Sequence, residues 1–187
     1  SRDWSSDGAL PISAQQQPAP GVVPYEINAP RWADHATAQR WVAVPGTNVV
    51  GIAEESQGVL AANRWSFPKD TVFAKTYSLE LERGNSATRK RIETQVLHYD
   101  GILWAAYSYR WNDTQTDAEL VPARGDEAVF DVKDAAAPGG TLQQKWRFFS
   151  RVECLRCHNP WDNYAPGFAR VQLDRTTEPA PGQIGRA

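Results

Sequence analysis

The sequence predicts a mainly β protein, an antiparallel β-sheet or sandwich with a few short helices. Three observations carry that expectation: apolar and polar residues alternate along "DTVFAKTYSLELE" from Asp70, two aromatic and β-branched runs flank Asp100-Gly101 in "RIETQVLHYDGILWAAYSYRW", and stretches with helical spacing are scarce.

In the first of these runs a strand sets Phe73, Lys75, Tyr77, Leu79 and Leu81 on one face, so a lysine stands in an apolar row. In the second, Asp-Gly is the favoured pair for a two-residue type I′ turn. Such a turn predicts Tyr99 opposite Ile102, His98 opposite Leu103, Val96 opposite Ala105, Thr94 opposite Tyr107 and Ile92 opposite Tyr109, with Glu93, Gln95, Leu97, Trp104 and Ala106 on the other face. Shorter strands follow at "AELV", "EAVFDV" and "LQQKWRF", with "VKDAAAPGG" as the loop between the last two. "WNDTQTDAEL" reads as a structural loop rich in side chains that bond backbone. One short helix is expected in "APRWADHATAQRW", with Pro30 in its first turn. A second is expected from Ser150, because "SRVE" spaces Ser150 and Glu153 as a capping box.

At 187 residues the chain suits one core. Residues 1–21 read as an extended N-terminal arm, 22–175 as the β-rich domain, and 176–187 as a polar tail or linker. The net charge of −2 comes from 20 basic and 22 acidic residues that are interspersed, so there is no basic footprint for nucleic acid or an anionic membrane. No apolar run nears the roughly 18 residues of a spanning helix, and the first twenty residues lack a basic-then-apolar export pattern. The chain reads as soluble, and as a mature or trimmed form.

Both cysteines and one of the three histidines lie within "VECLRCHNP". Cys154-Leu155-Arg156-Cys157-His158 is the C-x-x-C-H pattern of c-type haem attachment. On a helix, positions i and i+3 share a face and can reach two vinyl groups, while the next residue brings an imidazole to the iron. The expectation is one covalent haem c, held by Cys154 and Cys157 with His158 as the proximal iron ligand, on an attachment helix near the C-terminus. Other readings compete: a redox C-x-x-C, which normally opens a helix in a βαβ setting; structural zinc, which needs a fourth ligand from His35 or His98; and a plain surface disulfide. Covalent haem implies export to an oxidising compartment such as a bacterial periplasm. The chain has no methionine, so the His/Met ligation of many electron-transfer cytochromes is impossible.

Taken in order, "VPYEINAPRWADHATAQRWVAVPG", "WSFPKDTVFAKTY", "IETQVLHYDGILWAAYSYRWNDTQTDAELV" and "CLRCHNP" resemble a bacterial family of exported haem-c domains found beside quinoprotein sugar-dehydrogenase propellers or further cytochrome domains. The resemblance spans residues 22 to 175. More distantly the chain is similar to cytochrome c′-beta and the lysine-cross-linked cytochromes that oxidise hydroxylamine, in which the haem rests on an antiparallel sheet. That resemblance implies a β-sheet cytochrome c with redox partner proteins, a dehydrogenase or another cytochrome. It assigns no distal residue and no lysine cross-link here.

Four residues are candidates for the distal side: His98 and His35 as ligands, Lys75 as a ligand or a rim cation, and Glu93 as an acid or base. Each has a plainer reading as a solvated or packing side chain. The expected function is single-electron transfer by an exported mono-haem cytochrome, more an electron carrier than an enzyme. The alternative is an open, five-coordinate iron that binds NO or CO, or oxidises a small nitrogen compound such as hydroxylamine.

Overall fold

The computed structural model describes residues 12–13, 15–52 and 65–174. Its elements, in chain order, are β1 (Val22–Tyr25), β2 (Thr37–Ala43), β3 (Gly51–Ile52), β4 (Trp65–Ser66), β5 (Val72–Glu80), β6 (Arg89–Tyr99), β7 (Trp104–Trp111), β8 (Ala118–Leu120), β9 (Asp126–Lys133), β10 (Thr141–Phe148), α1 (Arg151–Cys154) and α2 (Arg170–Leu173). The mainly β expectation holds, and every named strand pairing is antiparallel.

Six strands form the main sheet in the order β1-β2-β5-β6-β7-β8, and β9 and β10 form a separate ribbon. The ribbon packs on the main sheet through Leu79, Ile92, Val121, Val132, Trp146 and Phe148. Burying a side chain such as Phe148 or Leu79 stabilises the fold by about 1.5–3 kcal/mol. A bulge at Tyr77/Ser78 leaves Ile92 without a partner on β5, and Leu79 and Ile92 both enter that cluster. A second core lies at the other end of the sheet, around Tyr25, Val42, Phe73, Leu97, Trp104 and Phe168. Of the arm, Ile12 is buried against Trp41 and Ala74, so this part of it lies along the domain. The expected tail, 176–187, falls outside the described residues.

Two expectations are corrected. The helix expected in "APRWADHATAQRW" is instead a tight turn followed by β2. Asp34 and His35 take left-handed conformations, φ 46° and 65°, and Ala36 N–H donates to the Ala33 carbonyl at 2.7 Å. β2 then hydrogen-bonds to β1 on one side and β5 on the other, and that pairing outweighs the modest helix preference of Ala, Gln and Arg.

The β6–β7 hairpin also differs from its expected register, since Tyr99 pairs with Trp104 and Val96 with Tyr107. Its loop has four residues, because Asp100 Oδ1 accepts from the amides of Ile102 at 2.8 Å and Leu103 at 2.7 Å. The slip is two residues, an even number, so Glu93, Gln95, Leu97, Trp104 and Ala106 still share one face, which Tyr99 joins opposite Trp104.

Candidate functional site

The segment after β10 builds the site. Ser150 Oγ accepts from the Glu153 amide, and the Ser150 amide donates to Glu153 Oε2, so the capping box is formed. Helix α1 is only one turn long, yet the Cys157 and His158 amides both donate to the Cys154 carbonyl, at 3.2 and 3.0 Å. These bonds keep residues 154–158 tightly coiled. Cys154, Cys157 and His158 consequently line a single cavity of about 390 Å³, within the usual range for a small-molecule site.

Beyond the coil the chain turns back through Asn163 and Tyr164, both left-handed. Asn163 Nδ2 donates to the Trp65 carbonyl at 2.9 Å. His158 Nδ1 lies 2.6 Å from the Tyr164 carbonyl, an acceptor only, so Nδ1 carries the proton and Nε2 is the ring's lone-pair nitrogen. Residues 165–172 complete this wall and are clamped by the segment after β1. Asn28 Nδ2 donates to the carbonyls of Val171 and Asp174 at 3.0 and 2.8 Å, and the Ala29 amide donates to Gln172 Oε1 at 2.9 Å.

The facing wall is the main sheet. Its register aligns Tyr25, Arg40, Lys75, Gln95 and Ser108 in one row across five strands, beside an apolar row of Val23, Val42, Phe73, Leu97 and Ala106. Tyr25, Arg40, Lys75 and Gln95 of the first row and Phe73, Leu97 and Ala106 of the second line the cavity. Lys75 Nζ sits 4.5 Å over the Tyr77 ring. Burial pushes the Tyr25 hydroxyl up to about 12, against the opposing pull of Arg40, so it stays protonated at neutral pH.

Glu93 is 1 % exposed and adjoins this wall without lining the cavity. Ser108 Oγ and Gln95 Nε2 donate to its Oε1, the latter at 3.1 Å, and Trp146 Nε1 donates to Oε2 at 3.0 Å. Burial raises its pKa above the usual 4.5, and these three bonds and the charge of Lys75 oppose the rise.

Of the four distal candidates the structure brings Lys75 into the cavity and Glu93 beside it. His98 is buried elsewhere, paired with Val72 and Ala105 in the sheet, with Nε2 3.3 Å from Asp70 Oδ1. His35 is exposed at the turn before β2, edge-on to Trp32. Neither lines the cavity.

Cys154 ends a helix instead of opening one, and burial, followed by the charge of Glu93, pushes its thiol up to about 11. A redox C-x-x-C needs a lowered pKa at its attacking thiol. The fourth ligand that structural zinc would need is not brought to Cys154, Cys157 and His158 by either candidate, since His98 bonds Asp70 and His35 lies at the turn before β2; among the described residues no group of three or more His, Cys, Asp and Glu is arranged to hold a metal ion.

Sequence reasoning missed Arg31, Arg40, Gln95 and Tyr164. Arg40 was hidden by the mistaken helix, and the Tyr164 carbonyl carries no side-chain signal at all. Gln95 was legible as a face-mate of Leu97, though nothing marked that face as a cavity wall.

Compared with known protein families, curated proteins and solved structures, the chain matches none of them.

Proposed function

We propose that the chain carries one covalent haem c in this cavity and acts as an exported mono-haem c-type cytochrome passing single electrons. The observation that carries the reading is the convergence of Cys154, Cys157 and His158 on one cavity against an antiparallel sheet. The residues fit the group. Two thiols three positions apart suit thioether bonds, and a ring oriented by a carbonyl on Nδ1 is the usual condition of a metal-bound imidazole. Phe73, Leu97 and Phe168 give the apolar and aromatic walls that suit a flat macrocycle.

When bound, haem supplies a one-electron Fe(III)/Fe(II) couple. The chain's own part is to orient the His158 ring through its Nδ1 bond to the Tyr164 carbonyl, to exclude water with the apolar row, and to leave an edge near the exposed Cys157 for a partner. That partner is a dehydrogenase or another cytochrome, and attachment of the haem puts the protein in the periplasm.

The second reading, an open iron that binds NO or CO or oxidises a small nitrogen compound, gains support from two observations. His35 and His98 lie outside the cavity and the chain has no methionine. The sheet wall then offers Lys75 and Gln95 as its polar groups toward a bound small molecule.

The test is production alongside haem-attachment machinery, followed by a pyridine haemochrome assay and spectra of the ferrous protein with and without carbon monoxide. Covalent haem that is lost when both cysteines are replaced by alanine supports the reading. A low-spin spectrum indifferent to CO favours electron transfer, and one that CO transforms favours the open iron. A mature chain without haem bands overturns both.

A further inference from the structure

The cavity is lined by Arg31, Arg40 and Lys75, and no aspartate or glutamate lines it. Among the described residues none of the three cations takes part in a salt bridge. Arg40 and Lys75 are directly opposed on β2 and β5, an arrangement in which like charges destabilise a sheet unless an anion lies between them. The next row on the same face is Val42, Phe73, Leu97 and Ala106. The cavity wall therefore runs from apolar to cationic between neighbouring rows, two residues apart along each strand, the complement of a flat apolar ligand with carboxylates at one edge.

We infer that Arg31, Arg40 and Lys75 are the carboxylate-binding side of this cavity and receive the two propionates of the haem. The inference rests on the haem reading and deepens it by fixing which edge of the macrocycle meets the cations. Arginine suits the role because its planar fork matches a carboxylate with two parallel hydrogen bonds, while Lys75 adds a point charge. Paired in this way, a propionate is held ionised to lower pH than it would be in water.

The experiment is a redox titration of the haem-loaded protein across pH, for the wild type, Arg31→Gln, Arg40→Gln and Lys75→Gln. Arg31 is exposed and outside the strands, so its variant does not threaten folding, and Arg40→Lys restores the charge. The exposed Arg124, which does not line the cavity, supplies Arg124→Gln as the control. With every variant made in a Glu93→Gln background, which removes the buried carboxyl whose ionisation Lys75 also favours, the expected result is a pH inflection from propionate ionisation that moves to higher pH in the glutamine variants, stays near its starting position in Arg40→Lys, and is unmoved in Arg124→Gln. A potential that drops with an unmoved inflection means only a charge acting at a distance, and overturns the assignment while leaving the haem in place. Unchanged potentials and inflections overturn it equally, and protein that takes up no haem overturns the underlying reading with it.

Discussion

The imidazole of His158 is tied through Nδ1 to the carbonyl of Tyr164 at 2.6 Å, and Tyr164 presents that carbonyl from a left-handed backbone, φ 60°. Asn163, also left-handed at φ 50°, precedes it and anchors the turn to Trp65. A side chain's orientation at the site thus depends on two backbone conformations that most residues avoid.

Replacing Asn163 with alanine should therefore act on both. Alanine tolerates the left-handed region at a cost of about 1–2 kcal/mol and cannot hold the Trp65 carbonyl. Asn163→Ala should lower the melting temperature measurably, and Asn163→Gly should recover the backbone part of the loss. Equal melting temperatures for Asn163→Ala and the wild type would show that this turn does not hold the wall.

Gly125 makes the second prediction. Its φ is +86°, and a Cβ there would meet the Phe148 carbonyl oxygen at 2.6 Å and the Ser150 amide nitrogen at 2.9 Å. Gly125→Ala should destabilise by roughly 1–3 kcal/mol through strain at this junction. Because Ser150 caps α1, Ser150→Ala should destabilise in the same direction by about 0.5–2 kcal/mol. Chemical denaturation of the two single variants and the double variant should show less than additive losses, since both act on the entry to α1.

Stability should also depend on pH from two directions. Glu93 has a folded pKa raised above 4.5 by burial, so the folded state holds its proton more tightly than the unfolded chain does. Its contribution is complete below 4.5 and is lost as pH rises through the raised value. Glu153 is the opposite case, lowered to about 2 by the Ser150 amide and hydroxyl and by Arg147. Its contribution is present above 4.5 and disappears as pH falls toward 2. Urea titrations of Glu93→Gln should show a weaker decline of stability with rising pH than the wild type shows, and a parallel pair of curves would exclude Glu93 as the source.

Trp146→Phe isolates one bond of the same network. It removes the Nε1–H that reaches Glu93 Oε2 at 3.0 Å and keeps most of the ring that packs on Tyr77. A hydrogen bond to a charged group is worth about 1.5–3 kcal/mol. The loss should therefore be largest at high pH, where Glu93 is ionised, and should shrink where it is protonated. A loss independent of pH would mean that the ring's packing, not the bond, is what matters.

The strands were legible because their signal is local. Val72–Glu80 and Arg89–Tyr99 alternate in their own sequence, and the capping box at Ser150 and Glu153 needs only four residues. The β2 strand was not legible, since Thr37–Ala43 becomes a strand through its two neighbours in the sheet. The hairpin register was misread because the Asp100 carboxylate, by capping two amides, makes a four-residue loop at a dipeptide that also suits a two-residue turn. In the site, C-x-x-C-H was visible as a motif, whereas the cation row needed the β2–β5 register to bring Arg40 and Lys75 together.

The order of elements along the chain has a consequence for assembly. Among the described residues all ten strands precede residue 149, and the wall that completes the cavity, residues 154–172, follows them. During synthesis from the N-terminus, the sheet can pair while this wall is still absent, so the cavity floor forms as an open, accessible surface. The last stretch then packs onto that surface, and Asn28 and Ala29, just after β1, bond it through Val171, Gln172 and Asp174. A large rigid occupant therefore needs no doorway, because the chain builds its container around it.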